Sequence, residues 1–474
     1  MKGETVVRAG TRWIGGGAAL IAAVSMTGLL TNARSTTADT AGANQLTSSD
    51  PSGILRTITT AGSIDTTNPF FQDLGTNGRT CFTCHRPAEG WTITPGEISD
   101  RFERTRGLDP LFRTNDGSNC EGADISTLAR RRRAFSMLLT RGVIRVGMKV
   151  PDGAEFNIVD VDDPYGCGAP FTEASMYRRP LPSTNLGFLS TVMWDGRETV
   201  SGQALAADLM TQATDATTGH AQGATPSAAI VKQIVDFETG LFTAQAYDDN
   251  AGVLSAAGAR GGPVALSKQP FCIGMNDPLR ILPVMPGACA SPSTGLDTNV
   301  FTSFTAWADD DSAARRAIAR GEQLFNSRTF VIDSVGGLNG APGDPVSGPI
   351  QNGTCTVCHD TPSAGDHSIA LPLNLGLTGA SRRAADQPLY TLENRTTHEV
   401  VQTIDPGRAM VTGKWSDIGK FKGPILRGLA ARAPYFHDGS AATLADAVDF
   451  YNTRFNIGLT AREKADLIAF LKAL

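Results

Sequence analysis

One five-residue pattern occurs twice in this chain, as Cys81-Phe82-Thr83-Cys84-His85 and as Cys355-Thr356-Val357-Cys358-His359. Cys-x-x-Cys-His is the spacing of covalent c-type haem attachment. Two thiols three residues apart add to the two vinyl groups of one haem, and the histidine that follows is held beneath the iron as its proximal ligand. A zinc knuckle or a redox Cys-x-x-Cys gives no reason for that histidine, and zinc would need further ligands nearby. Cys81, Cys84 and His85 are therefore assigned to one covalent haem, and Cys355, Cys358 and His359 to a second.

The chain has eight cysteines, and the four outside these motifs are Cys120, Cys167, Cys272 and Cys289. An even remainder suits two disulfides in an exported protein. Nearness in sequence favours Cys120–Cys167 and Cys272–Cys289. The start of the chain agrees with export. Lys2, Arg8 and Arg12 precede an apolar stretch over 13–30, and Thr31-Asn32-Ala33 offers a small-residue cleavage site. A signal peptide over 1–33 and a periplasmic location are expected. An uncleaved membrane anchor is the alternative. Residues 34–67 read as a linker, small and polar through residue 52. The net charge of −5 is too mild to point to nucleic acid.

With 51 glycines and 26 prolines among 474 residues, the chain reads as loop-rich. Residues 125–140 predict a helix with Leu128, Phe135, Leu138 and Leu139 on one face. Residues 143–150 and 154–161 predict strands, with Pro151-Asp152-Gly153 turning between them. Helices are also expected over 201–213 and 226–246, and mostly loop over 248–300. Residues 312–327 show helical apolar spacing just upstream of the second motif. Residues 461–474 form an amphipathic terminal helix, with Thr460 as N-cap and Glu463 completing a capping box. A helix before Cys-x-x-Cys-His and a crossing terminal helix are the usual layout of a class I cytochrome c. The expected fold class is thus mainly α. Two cytochrome c-like haem domains, 68–310 and 311–474, carry long irregular loops and a small β-hairpin.

Two longer strings narrow this picture. The first is Val192-Met193-Trp194-Asp195-Gly196-Arg197, followed by Leu209-Met210-Thr211-Gln212-Ala213. The second is Phe421-Lys422-Gly423-Pro424-Ile425-Leu426-Arg427, running into Ala433-Pro434-Tyr435-Phe436-His437-Asp438-Gly439-Ser440. Together with the paired haem motifs, these resemble the bacterial dihaem cytochrome c peroxidase and MauG superfamily over most of residues 68–474. The resemblance implies a peroxidase-type oxidoreductase that consumes hydrogen peroxide. In that superfamily the N-terminal haem is the peroxide site, and electrons reach it from the C-terminal haem. Trp194 matches the tryptophan between the haems, and Gln212 matches a distal-pocket glutamine. Asp195 and Arg197 read as an ion pair that fixes the turn.

The chain departs from the family at three places. The glutamate that follows the distal glutamine is absent, and His220 is the one strong acid–base group in that region. It reads as a general acid/base, a sixth iron ligand or a structural histidine. No histidine follows His85 until His220, so the first haem is expected to be open on its distal side. Tyr451 stands fourteen residues after His437, where the peroxidases carry a methionine ligand and MauG a tyrosine ligand. Tyr451 is thus the candidate second ligand of the C-terminal haem, with Met410 as the alternative. His437 matches a family histidine near that haem, with a propionate or hydrogen-bonding role. The family also places calcium between its domains, with a backbone ligand at the position of Pro434, which leaves room for one calcium ion. The implied electron donor is a small periplasmic cytochrome c or cupredoxin, or else the oxidised target is a protein side chain. Oligomeric state stays open, a homodimer being one option. A non-catalytic dihaem electron-transfer protein and a dihaem oxygenase are the competing readings.

Overall fold

Strands take a larger share of the fold than the sequence suggests. The computed structural model describes residues 44–168, 170–271, 273–278, 296–365, 368 and 371–474. The expected signal segment, and Cys272 and Cys289 of the expected second disulfide, lie outside the described residues. Helices hold 30% of the structure and strands 17%, so the expected mainly α class does not hold.

In chain order the strands are β1 (Gln45–Asp50), β2 (Gly53–Thr59), β3 (Ile144–Lys149), β4 (Phe156–Asp162), β5 (Glu173–Arg178) and β6 (Leu241–Asp248). They continue as β7 (Gly252–Val253), β8 (Phe330–Ile332), β9 (Ile350–Gly353), β10 (Leu389–Asn394) and β11 (Val400–Thr403). Among the described residues they form four sheets, ordered β1-β2-β6-β7, β11-β10-β4, β3-β5 and β8-β9.

The first sheet uses chain expected to be linker and helix. Strands β1 and β2 pair as an antiparallel hairpin inside the expected linker. The buried face of β2 includes Leu55 and Thr57. Thr57 Oγ1 lies 2.8 Å from Thr243 Oγ1 of β6 and accepts a 2.8 Å hydrogen bond from Trp91 Nε1. The hydroxyl is thus paid for by hydrogen bonds, and a polar segment can be core strand. Strand β6 occupies the end of the helix expected over 226–246. It is buried on both faces from Thr243 to Ala246, which erases the period-two signal of a strand.

Strands β3 and β4 lie where the sequence puts them, but they do not form the expected hairpin. β3 pairs with β5, and β4 pairs with β10. The turn at 151–153 sends them into two sheets that share one core of Phe156, Ile158, Met176, Tyr390 and Leu392. The hydroxyl of Tyr390 fastens those sheets, accepting from Ser175 N at 2.8 Å and donating to Ser175 O at 2.9 Å.

The helices are α1 (Pro95–Thr105), α2 (Leu128–Ala134), α3 (Ser136–Arg141), α4 (Leu205–Gly219) and α5 (Ala228–Thr239). They continue as α6 (Pro263–Leu266), α7 (Ala313–Ser327), α8 (Ala409–Thr412), α9 (Leu444–Arg454) and α10 (Ala461–Lys472). The helix expected over 125–140 is broken into α2 and α3 at Phe135, whose φ of −105° and ψ of 19° leave the helical region. Its fully buried ring packs edge-on against Phe112. Helix α7 starts at Ser312, whose hydroxyl accepts from Arg315 N. Helix α10 starts at the expected Thr460–Glu463 capping box. The two helices cross at Gly321, where a Cβ would stand 2.0 Å from the Asp466 carbonyl oxygen. Ile318, Phe325, Leu467 and Phe470 share the core there. Each such buried side chain stabilises the fold by about 1.5–3 kcal/mol.

Cys120 and Cys167 form the expected disulfide. No helix among the described residues is long and apolar enough to cross a membrane.

Candidate haem-binding sites

Each Cys-x-x-Cys-His string folds into the same short device. In the first, Cys81–Thr83 makes a 3-10 turn, and His85 N donates back to Cys81 O at 3.0 Å. His85 Nδ1 donates to Trp91 O at 2.9 Å. A carbonyl can only accept, so Nδ1 carries the proton and Nε2 keeps its lone pair. Burial pushes the imidazole down to about 4, so the ring stays neutral. In the second, His359 N donates to Cys355 O at 2.9 Å, and His359 Nδ1 donates to Ala364 O at 2.8 Å. Burial lowers that imidazole as well. It also raises the thiols of Cys81, Cys84 and Cys355, the last to about 12. None of the four motif cysteines is in a disulfide.

The first string opens one cavity, which is also lined by Gln212, His220 and Trp194. Gln212 and His220 come from α4 and its C-terminal cap. The second string opens another cavity, lined by Tyr451, His437 and again Trp194. Tyr451, on α9, has its ring centroid 6.5 Å from that of His359. Met410, the alternative to Tyr451, sits in the separate core of Phe156 and Tyr390. His398 is an exposed loop residue paired with Glu393.

The two cavities share a wall that includes Arg179, Pro180, Leu181, Pro182, Trp194 and Lys422. Trp194 is 8% exposed and donates from Nε1 to Arg179 O at 2.7 Å. Behind it, His437 stacks on Phe421 with ring centroids 4.4 Å apart and meets Trp194 edge-on at 6.3 Å. Among the described residues neither ring nitrogen of His437 has a hydrogen-bond partner. Asp195 pairs with Arg197 at 3.2 Å, as the sequence suggests. Its shorter contact is to Arg178, at 2.5 Å, and Arg178 also bonds Asp405 at 2.7 Å. Burial would raise the Asp195 carboxyl, but Arg178 and Arg197 outweigh it and hold it below the ordinary range. The turn that presents Trp194 is thus anchored to both halves of the chain.

Sequence reasoning missed several groups at these sites. Asp116 and Arg79 line the first cavity. His220 Nδ1 lies 2.5 Å from Asp116 Oδ2, and Asp116 Oδ1 lies 2.5 Å from Arg79 Nη1. Glu238 of α5 lines the same cavity, with Oε2 lacking a hydrogen-bond partner. Burial pushes its carboxyl up to about 8. A signal for Glu238 exists in the sequence, because it continues the apolar face of Val231, Ile234 and Val235. Asp116 has no such signal, being 104 residues from its partner in an irregular loop.

The residues present fit haem. Both cavities are walled mainly by apolar side chains, and each presents two cysteines and a neutral histidine. Arg179 and Arg432 are buried on the second cavity, and burial pushes both guanidiniums down to about 10. Arg179 donates to the carbonyls of Arg141 and Arg432, and Arg432 Nε has no hydrogen-bond partner. Two adjacent buried cations suit the carboxylates that haem brings. Among the described residues no group of three or more His, Cys, Asp or Glu side chains is arranged to hold a bare metal ion. The calcium expectation at Pro434 concerns a backbone carbonyl.

No family profile matches the chain. Curated relatives do. The cytochrome-c peroxidase IdrP1 of Pseudomonas sp. (strain SCT) is 34% identical over 143 residues, which are 25% of this chain and 36% of that protein. IdrP1 of Denitromonas iodatirespirans is 35% identical over 140 residues, with the same shares. The cytochrome c551 peroxidase of Nitrosomonas europaea is 44% identical over 69 residues, 14% of this chain and 21% of that protein. The match thus spans about a third of the length of the IdrP1 relatives. A solved MauG-like protein associated with microbial copper homeostasis aligns over 64% of this chain and 74% of that one, at 19% identity and a TM-score of 0.31. Over part of its length, the chain is thus similar to bacterial cytochrome c peroxidases.

Proposed function

We propose that the protein is an exported dihaem c-type cytochrome that uses hydrogen peroxide as its oxidant. Electrons enter at the C-terminal haem and are used at the N-terminal one. The observation that carries this reading is the pair of cavities, each opened by a Cys-x-x-Cys-His turn, that share Trp194 as a wall. Bound haem iron supplies the redox chemistry. The chain supplies the rest. His85 and His359 offer Nε2 to the two irons. Tyr451 offers a phenolic oxygen in the second cavity, and a phenolate favours ferric iron. In the first cavity, the Gln212 amide can hold peroxide by hydrogen bonds, and His220 can move its protons. Trp194 places an aromatic ring in the dry wall between the two sites, on the path an electron would take.

His437 is assigned a propionate or hydrogen-bonding role, and the backbone position of Pro434 leaves room for one calcium ion. The electron donor is a small cytochrome c or cupredoxin, or the oxidised target is a protein side chain. The Cys120–Cys167 disulfide supports an oxidising compartment such as the periplasm. The test is the purified protein from a host that attaches c-type haem. The pyridine haemochrome should give two haems per chain, and peroxide should oxidise the reduced protein. A single haem, or no reaction with peroxide, contradicts the proposal.

A further inference from the structure

The proposed peroxide chemistry leaves open which atom of His220 meets the substrate. Resting on that reading, we infer that Asp116 is the positioning residue that keeps the proton of His220 on Nδ1 and leaves Nε2 as the base for hydrogen peroxide.

The support for His220 is extensive. It caps α4, and its backbone carbonyl accepts from Asn77 Nδ2 at 2.8 Å and from Arg79 Nη1 at 3.3 Å. Its side chain is 41% exposed, whereas that of Asp116 is 8% and that of Arg79 is 4%. A small ligand can therefore reach the ring while the groups behind it stay dry. Asp116 is fixed at both ends. Its backbone carbonyl accepts from Arg145 N at 2.6 Å, and its Oδ1 is held by Arg79. Arg79 is fixed in turn, by Nε on Pro110 O at 2.9 Å and Nη2 on Leu111 O at 2.7 Å. The carboxylate that faces His220 is thus held from behind by a rigid cation.

The chemistry follows from donor counting. An ionised carboxylate only accepts hydrogen bonds, so the contact to Asp116 Oδ2 requires a proton on Nδ1. Nε2 of the neutral ring then carries the only lone pair available for a proton. When peroxide is deprotonated, its O–H bond breaks and an Nε2–H bond forms. The O–H pair stays on the hydroperoxide anion, the Nε2 lone pair forms the new bond, and no oxidation state changes. The ring becomes an imidazolium whose charge faces Asp116. Burial would raise the Asp116 carboxyl, but His220 and Arg79 hold it below the ordinary range.

Asp116→Asn is the informative change. Asparagine has one acceptor oxygen, and Arg79, which can only donate, takes it. The amide NH2 then faces Nδ1 and drives the ring proton to Nε2, the wrong tautomer. The rate of peroxide reaction should fall towards that of His220→Ala, a loss on the order of 10²–10⁴-fold. Both haems and the ferric spectrum should be retained. Cyanide gives a readout without turnover, because it arrives as HCN and must surrender a proton, so its association should slow in parallel. Asp116→Glu restores a carboxylate and should recover part of both rates. Asp116→Asn added to His220→Ala should cost nothing more, because the carboxylate acts only through the ring.

Wild-type cyanide and peroxide rates in Asp116→Asn, with His220→Ala slow, overturn the role of Asp116 alone. An Asp116→Glu variant as slow as His220→Ala also overturns it, and decides the matter if Asp116→Asn does not fold. An unchanged or faster rate in His220→Ala instead overturns the distal-base reading beneath it.

Discussion

Around His85 the cavity wall carries Arg79, Asp116, Gln212, His220 and Glu238, whereas around His359 it carries Phe325, Phe330, Phe436, Tyr451 and Phe455. The anchoring turns are near copies, with each histidine held through Nδ1 by a carbonyl. The difference lies in what surrounds them. The first cavity has groups that can accept, hold and return protons. The second has rings, with the cations Arg179 and Lys422 on the wall shared with the first and Arg432 on a wall of its own. One attachment device can therefore serve two tasks, and the lining residues assign the task.

The largest expected effect that separates the two cavities is at His220. His220→Ala should slow the bimolecular reaction with peroxide by roughly 10²–10⁴-fold in stopped-flow mixing. Tyr451→Phe should leave that first encounter unchanged. If both variants slow it equally, the cavities do not divide the work. A smaller loss is expected at the shared wall. Trp194→Phe keeps a ring but loses the hydrogen bond to Arg179 O, at a cost of about 1 kcal/mol. Both haems should stay bound while electron equilibration between them and turnover slow. Wild-type rates would make Trp194 a packing residue.

Tyr451→Met exchanges a phenol for a neutral thioether, so the potential of the C-terminal haem should rise, as read by redox titration. An unmoved potential and spectrum would show that Tyr451 does not reach that iron. The smallest effect concerns Glu238. Its carboxyl is raised from 4.5 to about 8 by burial, so the folded protein holds that proton more tightly than the unfolded chain. The stability it contributes is full below 4.5 and is lost as pH rises through about 8. Glu238→Gln should flatten this slope by up to a few kcal/mol across the window. Thermal midpoints of the holoprotein at both ends of the range would read it, and parallel slopes in variant and wild type would contradict it.

Much of each site was legible because haem attachment is local chemistry. Five consecutive residues carry the thiols and the histidine, and Trp194, Gln212 and Tyr451 lie in recognisable strings. The α7 and α10 helices were legible too, since their caps and apolar faces are written within one segment. The sheets were harder. Thr57 looks like a linker residue until Thr243 and Trp91 satisfy its hydroxyl. The two faces of β6 are buried against different neighbours, so its sequence carries no alternation. The Pro151-Asp152-Gly153 turn predicts a bend correctly but says nothing of which strands lie beyond it. Asp116 was invisible because its meaning depends on Arg79 and His220, brought to it by the fold from either side in the chain.

The central claim is that a haem held by His85 would stay open to small ligands, whereas a haem held by His359 would also be met by Tyr451. The electron paramagnetic resonance spectrum of the purified ferric holoprotein tests it most directly. A high-spin signal beside a low-spin one is predicted, with only the high-spin signal altered on adding cyanide. Two low-spin signals, in a protein that remains inert to cyanide and peroxide in every redox state, would contradict the account.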